Sequence, residues 1–205
     1  MKIVAKGLGK RFNREWIFKK FDFTFSSDQT FAIVGPNGSG KSTLLQILWG
    51  QLPPSSGALQ YDLDGNSIDI EDLYKYISIA APYMEVIEEF TLLEMLQFHY
   101  KFKNTIQSKS IEEVMEMMEL DHARNKVISN FSSGMKQRLK LGLAFFSDTS
   151  FLFLDEPTTN LDKKATTWYQ EQLGLCTSKR LVIIASNQEH EYPETALKVD
   201  LSLLK

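Results

Sequence analysis

Gly35-Pro36-Asn37-Gly38-Ser39-Gly40-Lys41-Ser42-Thr43 is the stretch of this chain most suited to chemistry. It fits G-x-x-x-x-G-K-[ST], a pattern that binds phosphate. Glycines let main chain approach a pyrophosphate with no Cβ in the way, and the turn presents its N–H groups as an anion nest. Lys41 would reach the β- and γ-phosphates of a nucleotide, and the Ser42 hydroxyl would ligate Mg²⁺. A second candidate group follows an apolar run: Phe151-Leu152-Phe153-Leu154 ends in Asp155-Glu156. Phosphoryl transfer to water asks for neutralised charge and an oriented water more than for covalent help. Asp155 suits the metal, and Glu156 suits activation of the water.

The elements around these residues suit the task. Thr30 to Val34 is a short apolar run that predicts a buried parallel strand, and Ser42 to Trp49 predicts a helix stopped by Gly50 and Pro53-Pro54. A strand that ends in glycines and opens a helix aims backbone N–H groups and the helix's positive end at one spot. Leu181 to Ala185 predicts another buried strand, and a helix is expected over about 163–175. In parallel sheets ligands sit at the carboxyl ends of the strands, which would bring Asp155 to the phosphate loop.

Elsewhere the pattern predicts Lys2 to Lys10 as a weak strand with a glycine turn. Phe21, Phe23 and Phe25 share one face of a strand, and 26–28 form the turn that follows. Further strands are expected over 58–63, 76–80 and 196–204. Between about Thr91 and Leu120 the period lengthens to that of helices. Leu92, Leu93, Met95, Leu96 and Phe98 suit one helix, and Ile111, Val114, Met115 and Met118 suit another. The sum is a parallel α/β sheet with an inserted helical block.

At 205 residues, 43% hydrophobic and 24% charged, with a net charge of -3, the composition is that of one globular domain with a large core. A mildly acidic chain argues against a dedicated nucleic-acid binder. The single cysteine, Cys176, leaves no internal disulfide and suits a reducing compartment. No apolar run approaches the roughly 20 residues that span a bilayer. His99, His122 and His190 lack metal-ligand spacing with each other and with Cys176. Met115, Met117 and Met118 suit helix packing, and Glu85, Glu88 and Glu89 suit a solvated acidic loop.

Two further segments make a family resemblance specific. Phe131-Ser132-Ser133-Gly134-Met135-Lys136-Gln137-Arg138 resembles the signature motif of ABC-type ATPases, usually written L-S-G-G-Q. Pro157-Thr158-Thr159-Asn160-Leu161-Asp162 resembles that family's D-loop. The motifs occur in the family's order and cover essentially the whole chain. The resemblance implies a P-loop NTPase with a RecA-like core, an antiparallel β-subdomain and an inserted α-helical subdomain. It would form one ATP-binding domain over 1–205, with the helical part at about 88–134. ATP and Mg²⁺ would be bound, and ATP would be hydrolysed.

The resemblance also implies a head-to-tail homodimer with ATP between the phosphate loop of one copy and Ser132, Ser133, Gly134 and the Asp162 loop of the other. Phe12 stands where the family carries an aromatic that stacks on adenine, with Trp16 the weaker choice. With no fused span or second module in the sequence, the expected role is the cytoplasmic ATP-binding subunit of an ABC transporter. It would sit on the inner face of the plasma membrane against a separate permease, with no nucleic-acid partner. The alternative is a soluble ABC ATPase acting on ribosomes or DNA, members of which usually carry two modules, a coiled-coil insertion or a basic arm.

Three positions depart from the family. Ala81 or Pro82 stands where a glutamine contacts Mg²⁺ and the attacking water. Asn187 stands in place of the switch histidine, so it can donate a hydrogen bond but carries no charge. The signature has Ser133 for its first glycine and Met135 for its glutamine. These departures predict slow turnover by the isolated protein, since a lost transition-state contact costs about 3 kcal/mol.

Overall fold

The computed structural model describes residues 1–27, 29–177 and 180–204. Asp28, assigned above to a turn, lies outside them. The core is a five-stranded, all-parallel sheet. Its strands are β3 (Thr30–Val34), β6 (Ile77–Ala80), β7 (Phe151–Asp155), β8 (Leu181–Ala185) and β9 (Leu197–Asp200), in the order β6-β7-β8-β3-β9. Strands buried on both faces read as continuous apolar runs, and β7 and β8 are buried along their whole length. β7 and β3 flank β8, so the sheet order brings the end of β7 close to the loop that leaves β3.

A four-stranded antiparallel sheet packs against this core in the order β2-β1-β4-β5. It consists of β1 (Lys2–Phe12), β2 (Glu15–Ser26), β4 (Ser56–Leu63) and β5 (Asn66–Ile68). The glycine turn expected within 2–10 is not a turn. β1 runs through Gly7 and Gly9 as one bulged strand, its register shifting there against both neighbours. Gly7 takes a positive φ of 57°, and its N–H donates to Asp22 across the pair at 2.7 Å. Glycine here marks a bulge, a role that short-range pattern does not separate from a turn. β9 is likewise shorter than expected, giving way to a 3-10 turn over Leu201–Leu204.

The helices are α1 (Lys41–Leu48), α2 (Leu92–His99), α3 (Ile111–Met117), α4 (Ser133–Phe145) and α5 (Lys163–Cys176). Capping boxes start α2 (Thr91 with Glu94) and α3 (Ser110 with Glu113), which satisfies helix N–H groups that would otherwise lack partners. Met115 and Met118 are buried in the helical block and Met117 packs against it, as their spacing predicts.

Candidate functional site

The loop 35–43 leaves β3 and turns into α1. Gly35, Gly38 and Gly40 hold φ values of +145°, +78° and +99°, which side chains rarely adopt. Space is as tight as the dihedrals. A Cβ on Gly40 would lie 2.3 Å from Ile17 Cγ2, and one on Gly35 would lie 2.8 Å from Ser39 Oγ. No side chain caps α1, so its first amides face the cleft free to bind an anion. Lys41 is only 5% exposed, and its ammonium donates to the carbonyls of Gly35 and Pro36 at 3.0 and 3.3 Å. A cleft of about 230 Å³ opens here, lined by Ile17, Asn37, Gly38, Lys41, Ser42 and Glu156 among others. Sequence reasoning missed Ile17; it sits on β2, and only the packing of the two sheets brings it to Gly40.

Asp155 ends β7 at 1% exposure. Neither of its carboxyl oxygens has a well-formed hydrogen bond. Burial pushes its pKa above the usual carboxylate range, against the opposing pull of the nearby Ser42 and Tyr83 hydroxyls and of Lys41. A buried carboxylate with unmet oxygens beside the Ser42 hydroxyl has the chemistry to hold Mg²⁺. That ion takes one or two protein oxygens and completes its shell with phosphate and water. Among the described residues, no group of three or more His, Cys, Asp and Glu side chains gathers around a metal-sized space, so phosphate oxygens would supply the rest. Glu156 follows with a positive φ of 41° and lines the cleft, its N–H bonded to the Ala185 carbonyl at 2.9 Å.

Asn187, just past β8, donates from Nδ2 to Asn37 Oδ1 at 2.9 Å and so touches the phosphate loop. Ala81 is buried and Pro82 exposed, and neither offers a polar side-chain atom. Tyr83 stands close by instead: its ring packs 6.4 Å from that of Trp49, and its hydroxyl lies near both Asp155 and Gln46. Register explains this placement. Ala80 pairs with Leu154, and the turn Ala81–Met84, closed by the Met84 N–H on the Ala81 carbonyl at 3.1 Å, carries Tyr83 over the end of β7.

The signature segment lies on a different cleft. Ser132 caps α4, its hydroxyl accepting the Met135 N–H at 3.2 Å. A Cβ on Gly134 would meet the Asn160 carbonyl at 3.2 Å. Ser132, Ser133, Gly134, Asn160 and Asp162 share a cleft of about 400 Å³, and none of them lines the cleft at Lys41. Asp162 caps α5 by accepting the Ala165 N–H at 2.8 Å. Gln137, buried in α4, donates to the Pro157 carbonyl at 2.8 Å and ties the signature helix to the loop after β7. Phe12 is 48% exposed near the β1–β2 turn, with the Lys10 ammonium 5.2 Å from its ring centre. Trp16 is flanked by Arg11 and Lys19 at 5.7 and 5.4 Å.

A glycine loop from a parallel strand into an uncapped helix, with an acid ending the strand two places away, defines a P-loop NTPase. The family model described as ABC transporter matches residues 18–159. The chain belongs to that family: it is an ABC transporter ATP-binding cassette, an ATP-hydrolysing domain.

It is 30% identical over 195 residues to the uncharacterized ABC transporter ATP-binding protein YybJ of Bacillus subtilis (strain 168), covering 92% of this chain and 86% of that protein. It is 28% identical over 175 residues, 84% of this chain, to the human retinal-specific phospholipid-transporting ATPase ABCA4, and spans 8% of that protein's length. The fold matches the dimeric structure of MJ0796, a bacterial ABC transporter cassette, with a TM-score of 0.79 at 21% identity over 97% of this chain and 94% of that one.

Proposed function

We propose that residues 1–205 form one ATP-binding domain, with its helical part at about 88–134, that pairs head to tail with a second copy around ATP and drives a separate membrane subunit. One observation carries the pairing: the phosphate loop and the signature segment line separate clefts with no residue in common. One chain therefore does not offer both to the same phosphate, and a second copy turned head to tail would. In this reading the loop amides and Lys41 bind the β- and γ-phosphates, and Phe12 stacks on the base. Ser42 and Asp155 hold Mg²⁺, which when bound offsets charge on the phosphate oxygens. Glu156 accepts a proton from the attacking water. Asn187 donates to the γ-phosphate oxygens, and the partner's signature helix closes the site through its Ser132 hydroxyl and remaining amides.

Without the glutamine and the switch histidine, turnover by the isolated protein is slow. Tyr83 offers a neutral hydroxyl near Asp155 in place of the missing amide. The membrane subunit would seat an apolar helix in the cleft of about 350 Å³ lined by Tyr74, Met84, Glu85, Met95, Lys103 and Lys140 among others. The protein would thus work at the cytoplasmic face of a membrane.

The test is Glu156→Gln, assayed for Mg²⁺-dependent ATP turnover and for dimerisation by size exclusion in ATP. The expected result is turnover reduced by about a thousandfold, ATP binding kept and a stable ATP-dependent dimer. Undiminished turnover would remove Glu156 from the mechanism. A monomer in ATP at high protein concentration would remove the paired-cassette reading.

A further inference from the structure

Glu191 lies in the 3-10 turn Glu189–Glu191 that follows Asn187, and it is 0% exposed. A carboxyl group out of water needs a cation or several hydrogen-bond donors. No lysine or arginine pairs with it among the described residues, and the donors come from two directions. From the loop after β7, the Thr158 N–H donates to Oε1 at 2.8 Å and the Thr158 hydroxyl to the same oxygen at 2.5 Å. From the segment after β8, the Ser186 hydroxyl donates to Oε2. The Tyr169 hydroxyl of α5 holds the turn from behind, donating to the Glu191 carbonyl at 2.7 Å.

Thr158 follows closely on Glu156, and Ser186 directly precedes Asn187. One carboxyl group thus bridges the loop that carries the proposed general base and the segment that reaches the phosphate loop through Asn37. Glu191 itself lines neither the phosphate cleft nor the signature cleft.

We propose that Glu191 is a positioning residue for ATP hydrolysis, its carboxyl group holding the Glu156 loop and the Asn187 segment in one fixed register. The inference rests on the roles given above to Glu156 and Asn187. An apolar side chain would fill the same space without aligning either strand end, whereas a two-oxygen acceptor fixes both at once. A misplacement of about 1 Å at a reacting group costs roughly a hundredfold in rate. That is the scale of effect expected from removing the bridge.

The experiment is Glu191→Ala beside Glu191→Gln, read by amide hydrogen exchange of the nucleotide-free protein, by ATP affinity and by turnover. In Glu191→Ala, exchange should rise together at 158–160 and 186–188 while the sheet strands stay protected. ATP affinity should stay within about threefold and kcat should fall by roughly a hundredfold. Glutamine can accept from Thr158 and donate to the Ser186 hydroxyl, so Glu191→Gln should recover most of the lost turnover.

Unchanged kcat in Glu191→Ala would overturn the proposal. So would a loss of ATP affinity in step with kcat and exchange rising across the whole sheet, which marks a general packing role. If Glu191→Ala does not fold, Ser186→Ala and Thr158→Val each remove one arm. Slower turnover at unchanged ATP affinity in either supports the bridge, and unchanged turnover in both overturns it. Glu156→Gln and Asn187→Ala serve as references. If neither slows turnover, the reading of the site fails, while the exchange data still decide whether Glu191 joins the two segments.

Discussion

The phosphate-loop cleft and the signature cleft are both built at a helix start, yet they are finished in opposite ways. At the first, α1 has no side-chain cap, Lys41 and Asp155 are buried, and the Ser39 hydroxyl and both Asp155 oxygens lack well-formed hydrogen bonds. At the second, Ser132 and Asp162 cap their own helices. Arg138 and Lys164 pair with Glu119 there at 2.7 and 3.1 Å. Unmet buried groups cost folding free energy until a ligand meets them. The first cleft is therefore built to be completed by a nucleotide. The second has its caps and ion pairs satisfied within the chain, which suits the proposed presentation to a second copy.

The comparison breaks most sharply at Lys41. Lys41→Ala should weaken ATP binding by about 3 kcal/mol, roughly a hundredfold in Kd, because a charge-assisted contact to phosphate is lost. Titration with a fluorescent ATP analogue measures this. The equivalent change at the signature, Ser132→Ala, should leave the Kd of the isolated chain unchanged, abolish the ATP-dependent dimer and lower Tm through loss of a cap worth about 1 kcal/mol. A Ser132→Ala chain that binds ATP as weakly as Lys41→Ala would erase the distinction.

Glycine substitutions sharpen it further. Gly40→Ala places a Cβ 2.3 Å from Ile17 at φ +99°, and should cost about 2 kcal/mol of stability together with nucleotide binding. Gly134→Ala has ordinary dihedrals and a Cβ 3.2 Å from the Asn160 carbonyl. Its stability cost should be about 0.5 kcal/mol, with turnover reduced far more than stability. Thermal melts and steady-state ATPase assays of the pair separate the two outcomes.

Asp155 gives a pH-dependent contrast. Burial raises its folded pKa above the unfolded value, so the carboxyl favours the fold below the unfolded pKa, and that contribution is lost as pH rises through the folded pKa. Asp155→Asn should therefore melt at a higher temperature than the parent at neutral pH, with the difference shrinking on acidification, while ATP turnover is lost. A lower Tm for Asp155→Asn at neutral pH would show that the carboxylate is better satisfied than its geometry indicates. The smallest effect on nucleotide affinity is expected at Phe12. Phe12→Ala should weaken ATP binding by about 1 kcal/mol, the low end of base stacking, because Phe12 is nearly half exposed.

Much of this site was legible before any folding. The glycine spacing of 35–43 and the apolar run into Asp155-Glu156 are short-range signals, while the signature and D-loop segments are legible through their resemblance to the family's motifs. The forces behind the short-range signals act within a turn or two: φ preference, helix capping and burial of a whole strand. α5, expected over about 163–175, forms over Lys163–Cys176 for that reason. What the tertiary structure decided are the meetings between segments far apart in the chain. Ile17 reaches Gly40, Tyr83 comes to Asp155, Asn187 bonds Asn37, and Glu191 bridges Thr158 and Ser186. Each depends on strand order and register, since a side chain's neighbours across a sheet are set by which strand lies alongside it. That choice minimises exposed apolar surface over the whole domain, and no single stretch of residues contains it.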